Sequence, residues 1–195
     1  MKNVLLIGDS IRLGATGSPG YGVFVKENMK DEAFVWGPEE NCRFAQYTLR
    51  NLRDWKAELS AVGVAAEDVN VVHWNNGIWD VCEYYGDGYL TPPEQYCETM
   101  LRIARILKAN AKTVIFATTT PIIDPHKSLK NESIELYNAL IVPKLQEMGI
   151  IINDLYSFVK PNIDRFIRED KVHLSAEGID ACAERVAMFI RNATE

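Results

Sequence analysis

"NVLLIGDS", residues 3–10, is the stretch that decides the fold. Val4, Leu5, Leu6 and Ile7 follow one another with no polar residue between them. An unbroken apolar run of that length reads as a strand buried on both faces, as strands of a parallel sheet are. Gly8 ends the run, and Asp9 and Ser10 follow at once. A strand covered on both sides requires helices over both faces of its sheet, so strands and helices should alternate along the chain.

They do. Further strands are expected at "AFVW" (33–36), "VNVVHW" (69–74), "KTVIFATTTP" (112–121) and "GIIINDL" (149–155). Helices are expected at 20–30, 45–63, 93–110, 131–148 and 175–192. The second carries Leu49, Leu52, Trp55 and Leu59 at spacings of three and four, an apolar stripe closed by Gly63. Pro92 and Pro93 open the third. Asn131 is the expected cap of the fourth, and Pro143 should kink it. The expected fold class is α/β: a three-layer α/β/α sandwich with a five-stranded parallel sheet, in one domain over residues 1–195. Polar loops fall at 9–20, 37–44, 75–92, 118–130 and 160–174. Most directly follow a strand, and in open parallel sheets ligands gather at the carboxyl ends of strands.

Composition narrows the function classes. Hydrophobic residues are 47% and charged residues 25%, which argues against disorder. The net charge of −6 disfavours binding to nucleic acid, because phosphate backbones select clustered Lys and Arg. No apolar run approaches the ~18 residues of a membrane span. The start lacks a secretory pattern, so a cytoplasmic protein with no membrane association is expected. Cys42, Cys82, Cys97 and Cys182 form no C-x-x-C pair, which removes zinc-ribbon and thioredoxin readings and leaves reduced, mostly buried thiols.

Ser10 can be read as a helix cap, a phosphate ligand or a nucleophile. The spacing of Gly8 and Gly14 fits neither G-x-x-x-x-G-K-[ST] nor G-x-G-x-x-G. A serine nucleophile needs a histidine to take its proton and a carboxylate to orient that histidine. His73 lies among apolar strand residues and reads as structural; His126, in "DPHK", reads as solvated. His173 stands in a polar loop before the last helix, three residues after Asp170. Donors for a developing oxyanion could come from "NCRFA" (41–45), which leads into a helix, or from the asparagines of "WNNG" (74–77). Asn also favours turns, so both stretches have a plain structural reading as well.

In order and placement these segments resemble the SGNH hydrolases, the GDSL family of esterases and lipases. "GDSIRLG" matches the first motif, with isoleucine after the serine, and D-x-x-H is matched by Asp170 to His173. The resemblance implies a flavodoxin-like SGNH fold, Ser10 as nucleophile, His173 as base and Asp170 as its orienting partner. It implies an oxyanion hole from the Ser10 and Cys42 N–H groups and the Asn75 amide. Gly37 competes with Cys42, and Asn76 with Asn75. The family's G-x-N-D is altered here to His73-Trp74-Asn75-Asn76, and Cys42 stands where the family has glycine. Asp9 reads as a turn residue. The implied reaction is ester hydrolysis through an acyl-enzyme, with no metal or organic cofactor. The expected partner is a small-molecule ester, a short-chain or sugar acetate ester by preference. Trp79, in the aromatic stretch 77–89, is the expected wall of the site; Asn76 and Arg12 are further substrate contacts, Arg12 toward an anion. Two other readings stay open: a weakly catalytic relative that binds a glycan or other small ligand, and a flavodoxin-like phosphate- or nucleotide-binding domain.

Overall fold

The computed structural model describes residues 1–15 and 17–193. Five strands form one parallel sheet: β1 (Lys2–Ile7), β2 (Ala33–Trp36), β3 (Val71–Trp74), β4 (Thr113–Ala117) and β5 (Ile151–Asn153). Their spatial order is β2-β1-β3-β4-β5. Every pair is parallel, with Val4 opposite Val71 and Ile7 opposite Trp74 at the centre. The helices are α1 (Ser10–Leu13), α2 (Tyr21–Asn28), α3 (Ala45–Ala61), α4 (Pro93–Lys108), α5 (Asn131–Glu147), α6 (Leu155–Val159), α7 (Ile163–Phe166) and α8 (Ala176–Asn192).

The alternation of side chains along each strand sorts the interior into two layers. Ile7, Val72, Trp74, Val114 and Phe116 face one side, against Trp55 of α3, Met100 and Ile103 of α4, and Tyr137 of α5. Val4, Leu6, Val71, Ile115 and Ala117 face the other, against Val25 of α2 and Val186 and Ile190 of α8. Both faces are covered, as the unbroken apolar run of β1 demands.

Three local expectations change. The fourth strand stops at Ala117, not Pro121, because β5 ends at Asn153 opposite Ala117 and offers no partner beyond it. Asn131 is the first helical residue of α5 and does not cap it; its side chain bonds the backbone N–H and C=O of Ile122 instead. The loop expected from 160 contains α7, and Ile167 and Leu174 pair as an isolated antiparallel bridge. α5 runs from Asn131 to Glu147 with Pro143 inside it. Cys42, Cys82 and Cys182 are buried and all four cysteines are unpaired thiols.

Candidate active site

β1 delivers its chain to the carboxyl edge of the sheet, where Asp9 caps α1: its Oδ1 accepts the Ile11 N–H at 2.9 Å. The Asp9 carbonyl takes the N–H groups of Arg12 and Leu13. The first N–H groups of a helix have no acceptor within it, so the Ser10 N–H is the one first-turn donor that Asp9 leaves unused. Burial pushes the Asp9 carboxyl up to about 6, against the backbone bond from Ile11 and the charge of Arg12. Asp9 is therefore the buried cap of this turn, and Ser10 is 9% exposed beside it.

The segment 167–174 folds back on itself through the Ile167–Leu174 bridge and a bond from Arg168 N–H to the His173 carbonyl. Lys171 takes φ 69°, the left-handed turn that brings Asp170 and His173 together. Asp170 Oδ1 accepts the backbone N–H groups of Val172 and His173; Oδ2 accepts Arg168 Nε at 2.5 Å and faces His173 Nδ1 at 2.9 Å. Partial burial acts to raise the Asp170 pKa, but these hydrogen bonds outweigh it and hold the carboxyl well below the usual carboxylate range. An ionised carboxylate only accepts, so Nδ1 carries the hydrogen and Nε2 is the imidazole's acceptor. That Nε2 lies 2.9 Å from Ser10 Oγ. Residues 163 positions apart thus join in one series, Asp170–His173–Ser10.

The other expected site residues divide. Asn75 follows β3, is 5% exposed, and donates one amide hydrogen to the Ala117 carbonyl; the second hydrogen and Oδ1 have no partner among the described residues. Trp79 is half-buried on the cleft wall beside Ser10. Asn76 is not in the cleft. Its Oδ1 accepts from Trp74 Nε1, and both amide hydrogens go to the Arg43 carbonyl and Thr48 Oγ1, tying β3 to the start of α3. The Cys42 N–H donates to the Gly8 carbonyl at 3.2 Å, so it is occupied and not offered to the cleft. Gly37 lies behind the nucleophile turn, where an added Cβ would meet the Leu6 carbonyl. Arg12 is 5% exposed and faces inward: its guanidinium donates to the carbonyls of Gly8, Pro38 and Glu40 and approaches Cys42 Sγ. Its terminal nitrogens are spent on backbone carbonyls, and it is not among the residues that line the cleft holding Ser10.

Two histidines separate as well. His73 is fully buried against Tyr21, and burial alone pushes its pKa down to about 3, so it stays neutral. His126, expected in solvent, is half-buried on the cleft wall.

The cleft holds about 430 Å³ and is lined from the loops after β1, β2, β3 and β4 and by Val172 and His173. Sequence reasoning missed Asn41 on its wall. Asn41 Oδ1 accepts the Arg43 N–H at 2.8 Å, and Arg43 takes φ 49°. The amide NH2 of Asn41 has no partner among the described residues. The signal was an Asn two residues before a tight turn, which is common enough to pass unnoticed. Among the described residues no three His, Cys, Asp or Glu side chains group as a metal site, and no helix is long and apolar enough to cross a membrane.

No family model and no curated protein matches this chain. Solved structures do. A lipase/acylhydrolase from Enterococcus faecalis superposes with a TM-score of 0.80 at 16% identity, covering 98% of this chain and 96% of that one. A catalytic mutant of an acetylxylan esterase from Geobacillus stearothermophilus gives 0.76 at 17% identity, covering 98% and 94%. A member of the lipolytic G-D-S-L family from Veillonella parvula gives 0.74 at 16% identity, covering 98% and 99%. The chain has the three-layer fold of these structures over nearly its whole length.

Proposed function

We propose that this protein is an SGNH-type serine esterase that hydrolyses small carboxylic esters through an acyl-enzyme. The observation that carries the reading is the series Asp170–His173–Ser10, with 2.9 Å at both links, opening onto a cleft at the carboxyl edge of the sheet. The shared fold with known ester hydrolases supports it.

His173 Nε2 takes the Ser10 proton as Oγ attacks the ester carbonyl, and Asp170 stabilises the imidazolium that forms. The oxyanion is met by donors still unused: the Ser10 N–H, the second hydrogen of the Asn75 amide, and the Asn41 NH2 in place of the Cys42 N–H. Each such donor is typically worth about 3 kcal/mol in rate. His173 then protonates the leaving alcohol, and water, activated by the same imidazole, releases the acid. The small acyl group sits against Ile78, Cys82 and Leu129, which are each no more than 5% exposed. Trp79 and Tyr84 supply aromatic wall suited to a sugar ring. An acetylated carbohydrate is the preferred substrate class.

The test is hydrolysis of para-nitrophenyl esters from acetate to octanoate by the wild type and by Ser10→Ala. The expected outcome is turnover that favours acetate and falls by roughly 10⁶ in kcat in the variant. Equal rates in the two proteins would sink the assignment of Ser10.

A further inference from the structure

The wall of the cleft built by the loop after β4 carries positive charge and, among the described residues, no acid. Lys127 and His126 come from the loop after β4. Lys127 is exposed at the rim, and among the described residues no carboxylate pairs with it. The Ser128 N–H donates to His126 Nδ1 at 3.3 Å, so the neutral ring carries its hydrogen on Nε2 and is a donor on that wall. Among the described residues, none that lines the cleft is Asp or Glu, in a chain whose net charge is −6. Two acids of the loops that carry this wall are engaged elsewhere: Glu83 with Lys130, and Asp124 with the Asn131 amide. The cleft is also polarised in depth. Ile78, Cys82 and Leu129 make a buried apolar floor, whereas Lys127 and Tyr84 stand exposed at the mouth.

We propose that His126 and Lys127 form an anion subsite, and that the natural ester carries a carboxylate or phosphate on its alcohol side. This rests on the ester-hydrolase reading above. An acyl group on the apolar floor leaves the alcohol portion toward the mouth, where the ammonium and the imidazole N–H are the groups that meet it. A negatively charged protein otherwise repels such a substrate, so a local cationic wall is what would admit one.

The experiment compares three aryl acetates: 4-acetoxybenzoate, 4-acetoxyphenyl phosphate and neutral methyl 4-acetoxybenzoate, each rate divided by its hydroxide-catalysed rate. At low ionic strength the wild type should prefer one anionic ester over the neutral one by ~2- to 5-fold in kcat/KM, the size of a single exposed ion pair. Which anion gains distinguishes carboxylate from phosphate. The preference should shrink in 0.5 M salt, disappear in Lys127→Ala and reverse in Lys127→Glu. A wild-type ratio at or below one, or a ratio untouched by the Lys127 variants, overturns the subsite. A binding arm separates the two readings. 4-Hydroxybenzoate and methyl 4-hydroxybenzoate are titrated onto the Ser10→Ala protein and followed by tryptophan fluorescence. Tighter binding of the carboxylate, lost in Ser10→Ala/Lys127→Glu, supports the subsite even if no ester is turned over; equal binding of the two overturns it even if Ser10-dependent turnover is found.

Discussion

Asp170 receives hydrogen bonds from Arg168, from Val172 and from both the backbone and the ring of His173. Its pKa is depressed, so its stabilising contribution is present above the ordinary carboxylate value and lost only as pH falls through the lower folded value. The carboxylate therefore stays ionised across the range in which an esterase would be assayed, and the acid limb of the rate profile does not belong to it. Asp170→Asn keeps the shape of the turn but presents an amide to Nδ1 and favours the wrong imidazole tautomer. A drop in kcat of roughly 10²–10⁴ on para-nitrophenyl acetate, with KM little changed, is the expected outcome. Asp80 is the opposite case. It is fully buried, both its oxygens face the Ala45 N–H at the start of α3, and burial pushes its pKa up to about 7. Native Asp80 holds a proton that the unfolded chain has lost, so stability from this group is full below about pH 4 and falls as pH rises toward 7. Asp80→Asn retains an acceptor for Ala45 and removes that dependence. Urea midpoints measured at pH 5 and pH 8 should show the variant gaining on the wild type at pH 8, by on the order of a few kcal/mol.

At the scale of elements, Arg12 is the strut between the nucleophile turn and the loop after β2. A Cβ added at Gly8, Gly20, Gly22 or Gly37 would come within 3.3 Å of an Arg12 atom, so four glycines from three segments make its berth. Gly20 is the tightest, at 2.4 Å from the Arg12 carbonyl. The guanidinium spans from the Gly8 carbonyl beneath Ser10 to the Pro38 and Glu40 carbonyls that precede Asn41. Arg12→Ala strands the Pro38 and Glu40 carbonyls. It should lower stability by roughly 3 kcal/mol or more in denaturant titration. Arg12→Lys, a point donor in place of a planar fork, should recover part of that stability but less of the kcat, because it cannot hold both loops at once.

Across the whole molecule the sheet depends on its central strands. Phe116 is fully buried and packs edge-on against Trp74 at 5.1 Å between ring centres. Phe116→Ala should cost about 3–5 kcal/mol, seen as a lower denaturant midpoint with an unchanged slope. The succession of five strands, both helical layers and the closeness of Asp170 to His173 were legible in the sequence, because unbroken apolar runs and a three-residue spacing are local signals; the spatial order of the strands was not. What long-range partners decide was not. Arg12 reads as a contact for an anionic substrate until the carbonyls of another loop are placed around it. Asn76 reads as a free amide until Thr48 and Arg43 claim its hydrogens. Cys42 reads as a free donor until the Gly8 carbonyl is brought beneath it. His126 reads as solvated because nothing in "DPHK" reveals that its loop folds toward the cleft.

The hydrogen bond from His173 to Ser10 also has a temporal meaning. Its partners are separated by 163 positions, and the 2-1-3-4-5 strand order places β1 inside the finished sheet, between β2 and β3. On the proposed mechanism a growing chain carries its nucleophile long before its base. It has no base until residue 173 has left the ribosome and the turn around it has closed. A nascent chain, or a fragment cut anywhere before that turn, is chemically silent, so the protein cannot attack esters before its sheet is complete.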